Sequence, residues 1–513
     1  MTFRVLCFLF LLGSGLIITS CNKKVTHDDY NVILILADDL GYGELGSYGQ
    51  QKIETPNLDQ LASEGIRFTN FYTGAPVCAP SRCIILTGRH SGRAEIRGND
   101  EAGYRGRVWD FLAMEADSSL EGQAPMDTSV QTFPMLLQEH GYSTGVVGKW
   151  GLGFPGSVST PNKKGFDYFY GYNCQRQAHT LTPLHLWENE KRVHLNNDTI
   201  VIHSELPSLK DTLSESTYAY LDQPDYAPSL IAQKGIDFVK KNKDEPFFLY
   251  WATPLPHVPL QAPKRWIEHY VQKFGDEPPY TGVKGGYFPA RYPKATYAAM
   301  ISYLDENVGR LMATLDSLEI SEKTIILFTS DNGATFVRGT DAEWFNSGGP
   351  FRSDREWGKG FLREGGIRVP LIVKWPEKVK AGSQTNHLSG AQDLMATILD
   401  ILDVPNTLEH DGISFKHELL GNKELQNQHD YLYWEFPESG GQRALRWEHW
   451  KAYNHSLKSG DTTISIYNLE SDIQESEDLS LKFPEKVQFV KDVFRKEHQS
   501  SENPRWQYEV LDR

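Results

Sequence analysis

Apolar runs of strand length recur along most of the chain, and several of them stop at a charged or polar residue. These runs read NVILILA, STGVVG, PFFLYWA, TIILFTS and RVPLIV. Uninterrupted β-branched and aromatic runs are typical of strands buried on both faces, as in parallel sheets. Helical patterns lie between them, in TPNLDQLASEG, QTFPMLLQEHG and TYAAMISYLDENVGRLMATLDSL. The alternation predicts an α/β fold with a mostly parallel sheet flanked by helices.

The pattern changes near the end of the chain. From about Tyr431, the short alternating segments YLYWEF, QRALRWEHWKAYNH and TTISIYNLE predict a small antiparallel sheet, closed by a helix in FPEKVQFVKDVFRKEH. We therefore expect a main domain over 26–425 and a C-terminal subdomain over 426–513. The stretch 154–223 shows little periodicity and is predicted to be a long, functional loop.

Polar side chains follow the predicted strands where each strand ends. In open α/β sheets, functional groups gather beyond the carboxyl ends of the strands. This rule places six side chains on one rim: Asp38, Asp39, Lys149, His257, Asp331 and Asn332. Adjacent aspartates can simply form a turn, but DDLGYG paired with a distant SDNG favours a metal site. Because the donors are all oxygen, Ca²⁺ or Mg²⁺ is predicted rather than zinc.

The segment VCAPSRCIILTGR contains a candidate reactive group, Cys78. Pro80 favours the first turn of a helix, which would begin beside Cys78. A helix N-terminus attracts anions and is expected to lower the pKa of a thiol. Arg82 and Arg89 add cationic donors. The alternative is a buried cysteine that only caps the helix.

The net charge of the chain limits the kinds of ligand that its surface can bind. The chain has 513 residues, enough for one large domain and a smaller one, and a formal net charge of -15. Such an acidic surface argues against nucleic acid, which needs clustered Lys and Arg. An anionic substrate would have to meet a local cationic pocket.

The first residues predict export. An apolar stretch, VLCFLFLLGSGLII, is short for a membrane span and runs through small residues into Cys21. Residues 1–21 resemble a lipoprotein-type signal peptide, so we expect a periplasmic or outer-membrane lipoprotein of a Gram-negative bacterium. Contact with a membrane would then be limited to the N-terminal lipid. A plain secretory signal is the alternative.

Three cysteines remain after the leader, an odd number that indicates at least one free thiol. Cys83 and Cys174 could form a disulfide, or both could be buried as small apolar residues.

The stretch Cys78-Ala79-Pro80-Ser81-Arg82, followed by Thr87-Gly88-Arg89, resembles the signature of type I sulfatases, Cys-x-Pro-Ser-Arg-x4-Thr-Gly-Arg. Further similar segments are ADDLGYGELGSYG, GKWGLG, SDNG, EGGIRVPLIVKWP and YNLESDIQESEDLS. The resemblance covers nearly the whole mature chain and is to the arylsulfatase-A-like branch. It implies an alkaline-phosphatase-like fold and hydrolysis of sulfate esters.

The resemblance also implies roles for individual residues. A separate maturation enzyme, which would recognise the Pro80-Ser81-Arg82 stretch, oxidises the motif cysteine to Cα-formylglycine, and the hydrated aldehyde attacks sulfur. Asp38, Asp39, Asp331, Asn332 and the formylglycine from Cys78 are implied to bind Ca²⁺. Lys149 and Lys359 are implied to bind sulfate, His257 to protonate the leaving alcohol, and Arg82 to contact the diol.

One position departs from the family. Many sulfatases carry a histidine at the position of Gly151, where it assists collapse of the diol. The change leaves the base for that step open. Two rival readings follow: a phosphatase or phosphodiesterase of the same superfamily, and an inactive glycan-binding lipoprotein, which Gly151 alone favours.

Two polar and aromatic loops predict a sulfated carbohydrate substrate. GFDYFYGYNCQRQAHTLTPLHLW resembles bacterial sulfatases that act on glycans, and it contains Arg176 and His179. DAEWFNSGGPFRSDREWG contains Glu343 and Arg355. Such side chains offer flat faces for a sugar ring and directional donors for its hydroxyls. We expect a galactose- or N-acetylgalactosamine-configured unit, with His179 bonding the axial O4.

Overall fold

The computed structural model describes residues 30–108, 110–200, 211–282 and 287–512. The predicted leader, residues 1–21, lies outside the described residues. Within them, no helix combines the length and apolarity that a membrane crossing requires.

The core of the protein is a ten-stranded sheet with the order β11-β2-β10-β9-β1-β8-β4-β5-β6-β7. Its strands are β1 (Asn31–Ala37), β2 (Ile66–Phe68), β4 (Ser143–Lys149), β5 (Tyr168–Tyr172), β6 (His185–Glu188), β7 (Lys191–His194), β8 (Phe247–Ala252), β9 (Thr324–Ser330), β10 (Leu371–Lys374) and β11 (Ser383–Thr385). The five central strands, β9-β1-β8-β4-β5, are parallel. A small separate pair joins β3 (Phe71–Tyr72) to β12 (Ser389–Gly390).

Helices cover both faces of the large sheet. They are α1 (Pro56–Glu64), α2 (Cys78–Thr87), α3 (Phe111–Ala116), α4 (Phe133–Glu139), α5 (Ala227–Lys241), α6 (Lys264–Phe274), α7 (Pro293–Ser317), α8 (Ala342–Phe345), α9 (Glu364–Ile367), α10 (Asp393–Ile401) and α11 (Lys416–Leu419). Successive side chains of β1 point to opposite faces. Val32 and Leu34 pack in the core with α2, α4 and α10, while Ile33 and Ile35 pack with α1, α5 and α7. The β-branched run is therefore buried on both faces.

A four-stranded antiparallel sheet forms near the C-terminus. It contains β13 (Leu432–Phe436), β14 (Gln442–Trp447), β15 (Trp450–Asn454) and β16 (Ser465–Asn468), and α12 (Pro484–Glu497) packs on one face. The fold class predicted from the sequence, a mostly parallel sheet with flanking helices and a small C-terminal antiparallel sheet, is confirmed. The exact boundary between 26–425 and 426–513 stays a prediction.

Two local expectations were wrong. The run RVPLIV forms β10, which is antiparallel to β9. An apolar run indicates that a strand is buried on both faces, but it does not indicate the direction of the strand. The pattern therefore could not show that β10 is antiparallel. The stretch 154–223, predicted to be a loop, contains three strands, β5 to β7. Their short length and frequent aromatic residues hid the alternation.

Candidate active site

The carboxyl ends of the central strands meet in one buried group of side chains. We call it the strand-end cluster: Asp38, Asp39, Cys78, Arg82, Lys149, His257, Asp331, Asn332 and Lys359. Asp38 and Asp39 follow β1, Lys149 ends β4, His257 follows β8, and Asp331 and Asn332 follow β9. The six rim residues selected from the strand ends are thus adjacent, although nearly 300 residues separate the first from the last.

The backbone conformation after β1 brings the ends of β1 and β9 together. Asp39 has φ of 68°, a left-handed conformation that aspartate tolerates better than most residues. Its amide donates to Asp331 Oδ1 at 3.2 Å, and the amide of Leu40 donates to Ser330 Oγ at 3.0 Å. The ends of β1 and β9 are therefore bonded to each other beyond the last strand residues.

The nucleophile candidate, Cys78, is the first residue of α2, as the sequence predicted. Its thiol donates to Asp38 Oδ1 at 3.2 Å, and its Sγ lies 3.8 Å from Lys359 Nζ. Asn99 Oδ1 accepts from the amide of Ala79 at 2.9 Å. Cys78 thus lies in contact with groups from two other segments of the chain.

The expected electrostatic effect of the helix terminus was wrong. Burial and the charge of Asp38 raise the pKa of the Cys78 thiol well above its ordinary value, although Lys149 and Lys359 oppose this. The residue is fully buried rather than on the rim surface. The desolvation of a buried thiolate therefore outweighs the favourable helix end.

Three cations surround the carboxylates. Lys149 Nζ donates to Asp38 Oδ2 at 2.6 Å, and Lys359 Nζ lies 2.6 Å from Asp39 Oδ1. Arg82 is fully buried and donates to Asp331 Oδ2 through Nη2 at 2.8 Å and Nε at 3.1 Å. All three belong to the set that the sequence assigned to sulfate binding or to the diol.

Arg89, the second arginine of the signature, does not join the cluster. Its guanidinium pairs with Glu409 at 2.5 Å, and its side chain is 41% exposed. The expectation that both arginines face Cys78 was wrong, because Arg89 follows α2 whereas Cys78 begins it.

A buried oxygen without a partner tests whether a metal would fit here. Asn332 donates through Nδ2 to Asp39 Oδ1 at 2.8 Å, while its Oδ1 is buried and lacks a hydrogen-bond partner among the described residues. Ligand atoms of Asp38, Asp39, Cys78 and His257 lie within 4.8 Å of one another. Three carboxylates and a free amide oxygen fit a hard cation such as Ca²⁺. The residues present therefore fit the predicted metal.

The pKa values of the carboxylates reflect this crowding. Burial and the charge of Asp38 raise the pKa of Asp331 to about 7, against the opposing effect of Arg82. Burial would also raise the pKa of Asp38, but Lys149, His257 and Arg82 together hold it well below its ordinary value. One buried carboxylate is thus short of positive charge, which a bound cation would supply.

His257 lies at the side of the cluster that faces the long loop. Its Nε2 is 3.7 Å from Asp39 Oδ2. Burial and Lys359 lower its pKa to about 4, so the ring is neutral at pH 7 in this arrangement. An anionic substrate beside it would raise that pKa, because a nearby negative charge favours the protonated ring.

Two aromatic side chains extend the site from His257. The ring of His179 stacks on that of His257, with centroids 5.2 Å apart and planes 12° apart. The ring centroid of Tyr287 lies 5.1 Å from that of His179 and 6.2 Å from that of His257. The sequence analysis had assigned His179 to the sugar, whereas Tyr287 was missed because GGYFPARYP carries no motif. These contacts place His179 beside the predicted general acid.

The position of Gly151 is shaped for glycine. Its φ is 74°, and a Cβ there would lie 3.1 Å from Gln175 Oε1. That oxygen is buried and has no hydrogen-bond partner among the described residues. Gln175 therefore fills the space beside Gly151, but an amide is not a base. The base for collapse of the diol stays open.

The remaining predicted substrate residues differ in placement. Arg176 belongs to the same loop as Gln175 and His179 and pairs with Glu101 at 3.4 Å. Glu343 and Arg355 are exposed, and within the described ranges neither bonds to a side chain of the strand-end cluster. Their roles in substrate binding stay predictions.

The C-terminal sheet holds the loop that carries Lys359, a role that the sequence analysis missed. Gln442 of β14 donates to the carbonyl of Gly360 at 2.9 Å and accepts from the amide of Leu362 at 2.9 Å. Gly360 also donates to the carbonyl of Pro76 at 2.9 Å. A lone glutamine in a strand gave no signal for this contact, which joins the Lys359 loop to the C-terminal sheet.

Cys83 and Cys174 are both buried free thiols. Each lies next to a methionine sulfur, Met126 and Met114 respectively. Of the two alternatives left open by the sequence, burial as small apolar residues is the one that the structure has.

Comparisons with known proteins agree with this site. Residues 30–404 match the family model described as Sulfatase, and residues 354–501 match one described as N-sulphoglucosamine sulphohydrolase, C-terminal. The chain belongs to the sulfatase family, a family of sulfuric ester hydrolases. The predicted resemblance to the arylsulfatase-A-like branch and to bacterial glycan sulfatases is confirmed.

Among relatives, the N-acetylgalactosamine-6-O-sulfatase of Bacteroides thetaiotaomicron is 30% identical, and the alignment covers 94% of this chain and 97% of that protein. The N-acetylgalactosamine-6-sulfatase of Homo sapiens is 32% identical over 76% of this chain and 66% of its own length. The crystal structure of Ps i-CgsB in complex with k-i-k-neocarrahexaose superposes with a TM-score of 0.70 at 27% identity, over 94% of this chain and 96% of that one. Each of these names or complexes concerns a carbohydrate.

Proposed function

We propose that this protein is a formylglycine-dependent, Ca²⁺-requiring sulfatase that removes a 6-O-sulfate from an N-acetylgalactosamine- or galactose-configured sugar. One observation carries the proposal. Cys78, at the start of a sulfatase signature, contacts Asp38 and lies 3.8 Å from Lys359 Nζ, and in the same cluster Asn332 Oδ1 has no hydrogen-bond partner among the described residues. The names of the relatives support the sugar and the sulfated position.

The proposed roles follow from the contacts. Ca²⁺ would be held by Asp38, Asp39, Asp331 and Asn332, and when bound it supplies positive charge for the developing anion. Lys149 and Lys359 would each turn one N–H toward sulfate oxygens while keeping their aspartate contacts. Arg82, clamped by Asp331, would hold the hydroxyls of the modified Cys78.

His257 would donate the proton to the leaving alcohol. Its Nε2 faces Asp39, and its neutral ring must gain a proton when the anionic ester binds. His179, stacked on His257, would bond the sugar on the leaving-group side. This arrangement separates sulfate-binding cations from sugar-binding rings.

The proposal includes export. The leader predicts a lipoprotein at the periplasm or outer membrane, where a sulfated glycan would meet the enzyme. Labelling with a radioactive fatty acid in the native host tests this: label lost on Cys21→Ala is expected, and a secreted, unlabelled wild-type protein would contradict it.

The activity is tested with enzyme made together with a maturation enzyme, by measuring sulfate release from two sulfated sugars and phosphate release from an aryl phosphate. We expect the highest kcat/KM on N-acetylgalactosamine 6-sulfate, a lower value on N-acetylglucosamine 6-sulfate, and the lowest on an aryl phosphate. Release from neither sulfated sugar would reject the proposed function. A higher value on the gluco epimer would reject the proposed sugar, and a higher value on the phosphate would favour the phosphatase reading.

A further inference from the structure

A cavity of about 400 Å³ lies between the C-terminal sheet and α12. Side chains of β14 alternate between the two faces of that sheet. Ala444 packs with Leu362 of the catalytic domain, whereas Leu445 packs with Val490 of α12. Arg443, which lines the cavity, therefore faces away from the strand-end cluster. The cavity is a separate place in the fold.

Arg443 is an unusual wall residue because it is nearly buried without an acidic partner. It is 6% exposed, and its Nε is buried and has no hydrogen-bond partner among the described residues. Its guanidinium carbon lies 4.5 Å from the centroid of the Phe494 ring. Within the described ranges, no carboxylate lies within ion-pair distance of it. A buried N–H donor without an acceptor is costly, so the geometry indicates a missing acceptor for Arg443.

The acidic groups around the cavity already have partners. Asp492 pairs with Arg495 at 3.2 Å. His498 bonds Glu435 at 2.7 Å and Asp512 at 3.0 Å, one at each ring nitrogen. Glu435 stands opposite Arg443 in the β13–β14 register, but its hydrogen bonds go to Tyr433 and His498.

A second cation, Lys491, lines the same cavity from α12. It is exposed and makes no ion pair within the described part of the chain. The rest of the wall combines the apolar side chains of Ile464, Phe494, Val510 and Leu511 with the polar ones of Thr462, Arg495 and His498. Arg495 and His498 already bond to carboxylates. Arg443 and Lys491 thus line one cavity without an ion pair within the described residues, in a chain whose formal net charge is -15.

We propose that this cavity binds an organic anion of monosaccharide size, namely a sugar unit that carries a sulfate or carboxylate group. Arg443 presents a planar fork that matches either group, and Lys491 adds a point charge. The apolar side chains of the wall would cover one face of the sugar ring. The volume lies within the range of small-molecule sites. Binding here does not depend on turnover at Cys78.

Hydrogen–deuterium exchange of the full chain, with Cys78→Ala to prevent turnover, tests the proposal. Amides of α12 and of 462–464 report on the cavity and not on the strand-end cluster. Galactose 6-sulfate should slow their exchange, whereas neutral galactose should not. Arg443→Gln and Lys491→Gln should each weaken the concentration dependence about ten-fold, because each removes a charge-assisted contact.

Lys496→Gln is the matched control, since it removes the same charge from the next turn of α12 at a residue that does not line the cavity. It should bind like the parent. The exposed Lys491 variant keeps the test valid if Arg443→Gln does not fold. Lack of protection in the parent, equal protection by neutral galactose, equal protection by inorganic sulfate, or equal loss in Lys496→Gln would each overturn the proposal.

Discussion

Two buried clusters of charged side chains in this protein differ in whether their oxygen atoms have hydrogen-bond partners. In the strand-end cluster, three carboxylates crowd together and Asn332 Oδ1 has no partner within the described residues. Beneath the C-terminal sheet lies a second group, the interdomain cluster: Tyr72, Glu364, Arg368 and Lys451. There, Glu364 accepts from Lys451 through Oε1 at 2.7 Å, and from Tyr72 at 2.8 Å and Arg368 at 3.1 Å through Oε2.

This difference in hydrogen bonding distinguishes the strand-end cluster, a candidate active site, from the interdomain cluster, a structural contact. Glu364 is 1% exposed, but both of its oxygens are bonded. Burial would raise its pKa, yet Lys451 and Arg368 outweigh burial and lower the pKa to about 2. Asp331, by contrast, has its pKa raised to about 7 by burial and by Asp38. Buried charge alone therefore does not mark function; the strand-end cluster is distinguished by three carboxylates from two strand ends that meet beside the candidate nucleophile.

The largest effect is expected at Cys78. Cys78→Ala should abolish sulfate release, because it removes the proposed nucleophile, and should leave the fold intact. Sulfate release and the thermal unfolding midpoint, measured on the same preparation, check both parts. Cys83→Ala is the matched control, since Cys83 is a buried thiol on the same helix that packs against Met126. It should lose stability but keep activity, whereas turnover by Cys78→Ala would reject the mechanism.

Removal of the metal should affect activity and stability together. Because a ligand of the native state stabilises it, chelation should lower the unfolding midpoint by an amount equivalent to about 2.7 kcal/mol for each hundredfold excess of Ca²⁺ over Kd. Asp331→Ala should reproduce the chelated state. Calorimetry and sulfate release with and without Ca²⁺ provide the measurement. Full activity of metal-free protein, or rescue only by Zn²⁺, would contradict the oxygen-donor site.

The interdomain cluster should behave in the opposite way. Glu364→Gln leaves Lys451 and Arg368 without their counter-charge, so the free energy of unfolding should fall by about 3–5 kcal/mol. The response to Ca²⁺ should be unchanged. Urea unfolding measures the loss, and Glu409→Gln, which removes a surface partner of Arg89, should change stability by about 0.5 kcal/mol or less. A loss of Ca²⁺ response in Glu364→Gln would remove the distinction between the clusters.

The same carboxylate predicts a pH dependence. The folded pKa of Glu364, about 2, lies below its ordinary value of 4.5. Its contribution to stability is therefore fully present above pH 4.5 and is lost as the pH falls toward 2. The difference in unfolding free energy between wild type and Glu364→Gln should shrink over that interval. A constant difference from pH 6 to pH 2 would contradict the assigned pKa.

The smallest effect concerns the sugar. His179→Ala should lower kcat/KM on N-acetylgalactosamine 6-sulfate by about ten- to a hundred-fold, and on an aryl sulfate by much less, because only the sugar offers a hydroxyl to bond. Steady-state kinetics on both substrates decides this. Equal losses would mean that His179 acts through His257, on which it stacks, and no loss on either substrate would reject a role of His179 in binding the sugar.

The sequence predicted the part of the site that depends on strand ends. A buried run that stops at Asp38, Lys149 or Asp331 identifies both the strand and its carboxyl end, so their proximity followed from the fold class. Contacts that depend on side-chain direction were not accessible. The pattern could not show that Arg89 would pair with Glu409, or that burial would raise the pKa of Cys78.

The residues that reach the site from loops and from the second domain were the hardest to predict. Tyr287 lies in a segment without a motif, and Gln442 lies in an alternating strand pattern that indicates no site. Only the folded chain brings them to His257 and Gly360. The orientation of β10 was missed for a related reason, because strand direction depends on connections rather than on composition.

The central claim is that Cys78 becomes a formylglycine and does the chemistry in that form. A peptide mass spectrum covering Cys78, taken on protein from a host with a maturation enzyme and paired with sulfate release from the same sample, tests it most directly. The account predicts an aldehyde at Cys78, with activity proportional to the converted fraction. An active preparation in which Cys78 remains a thiol would contradict it.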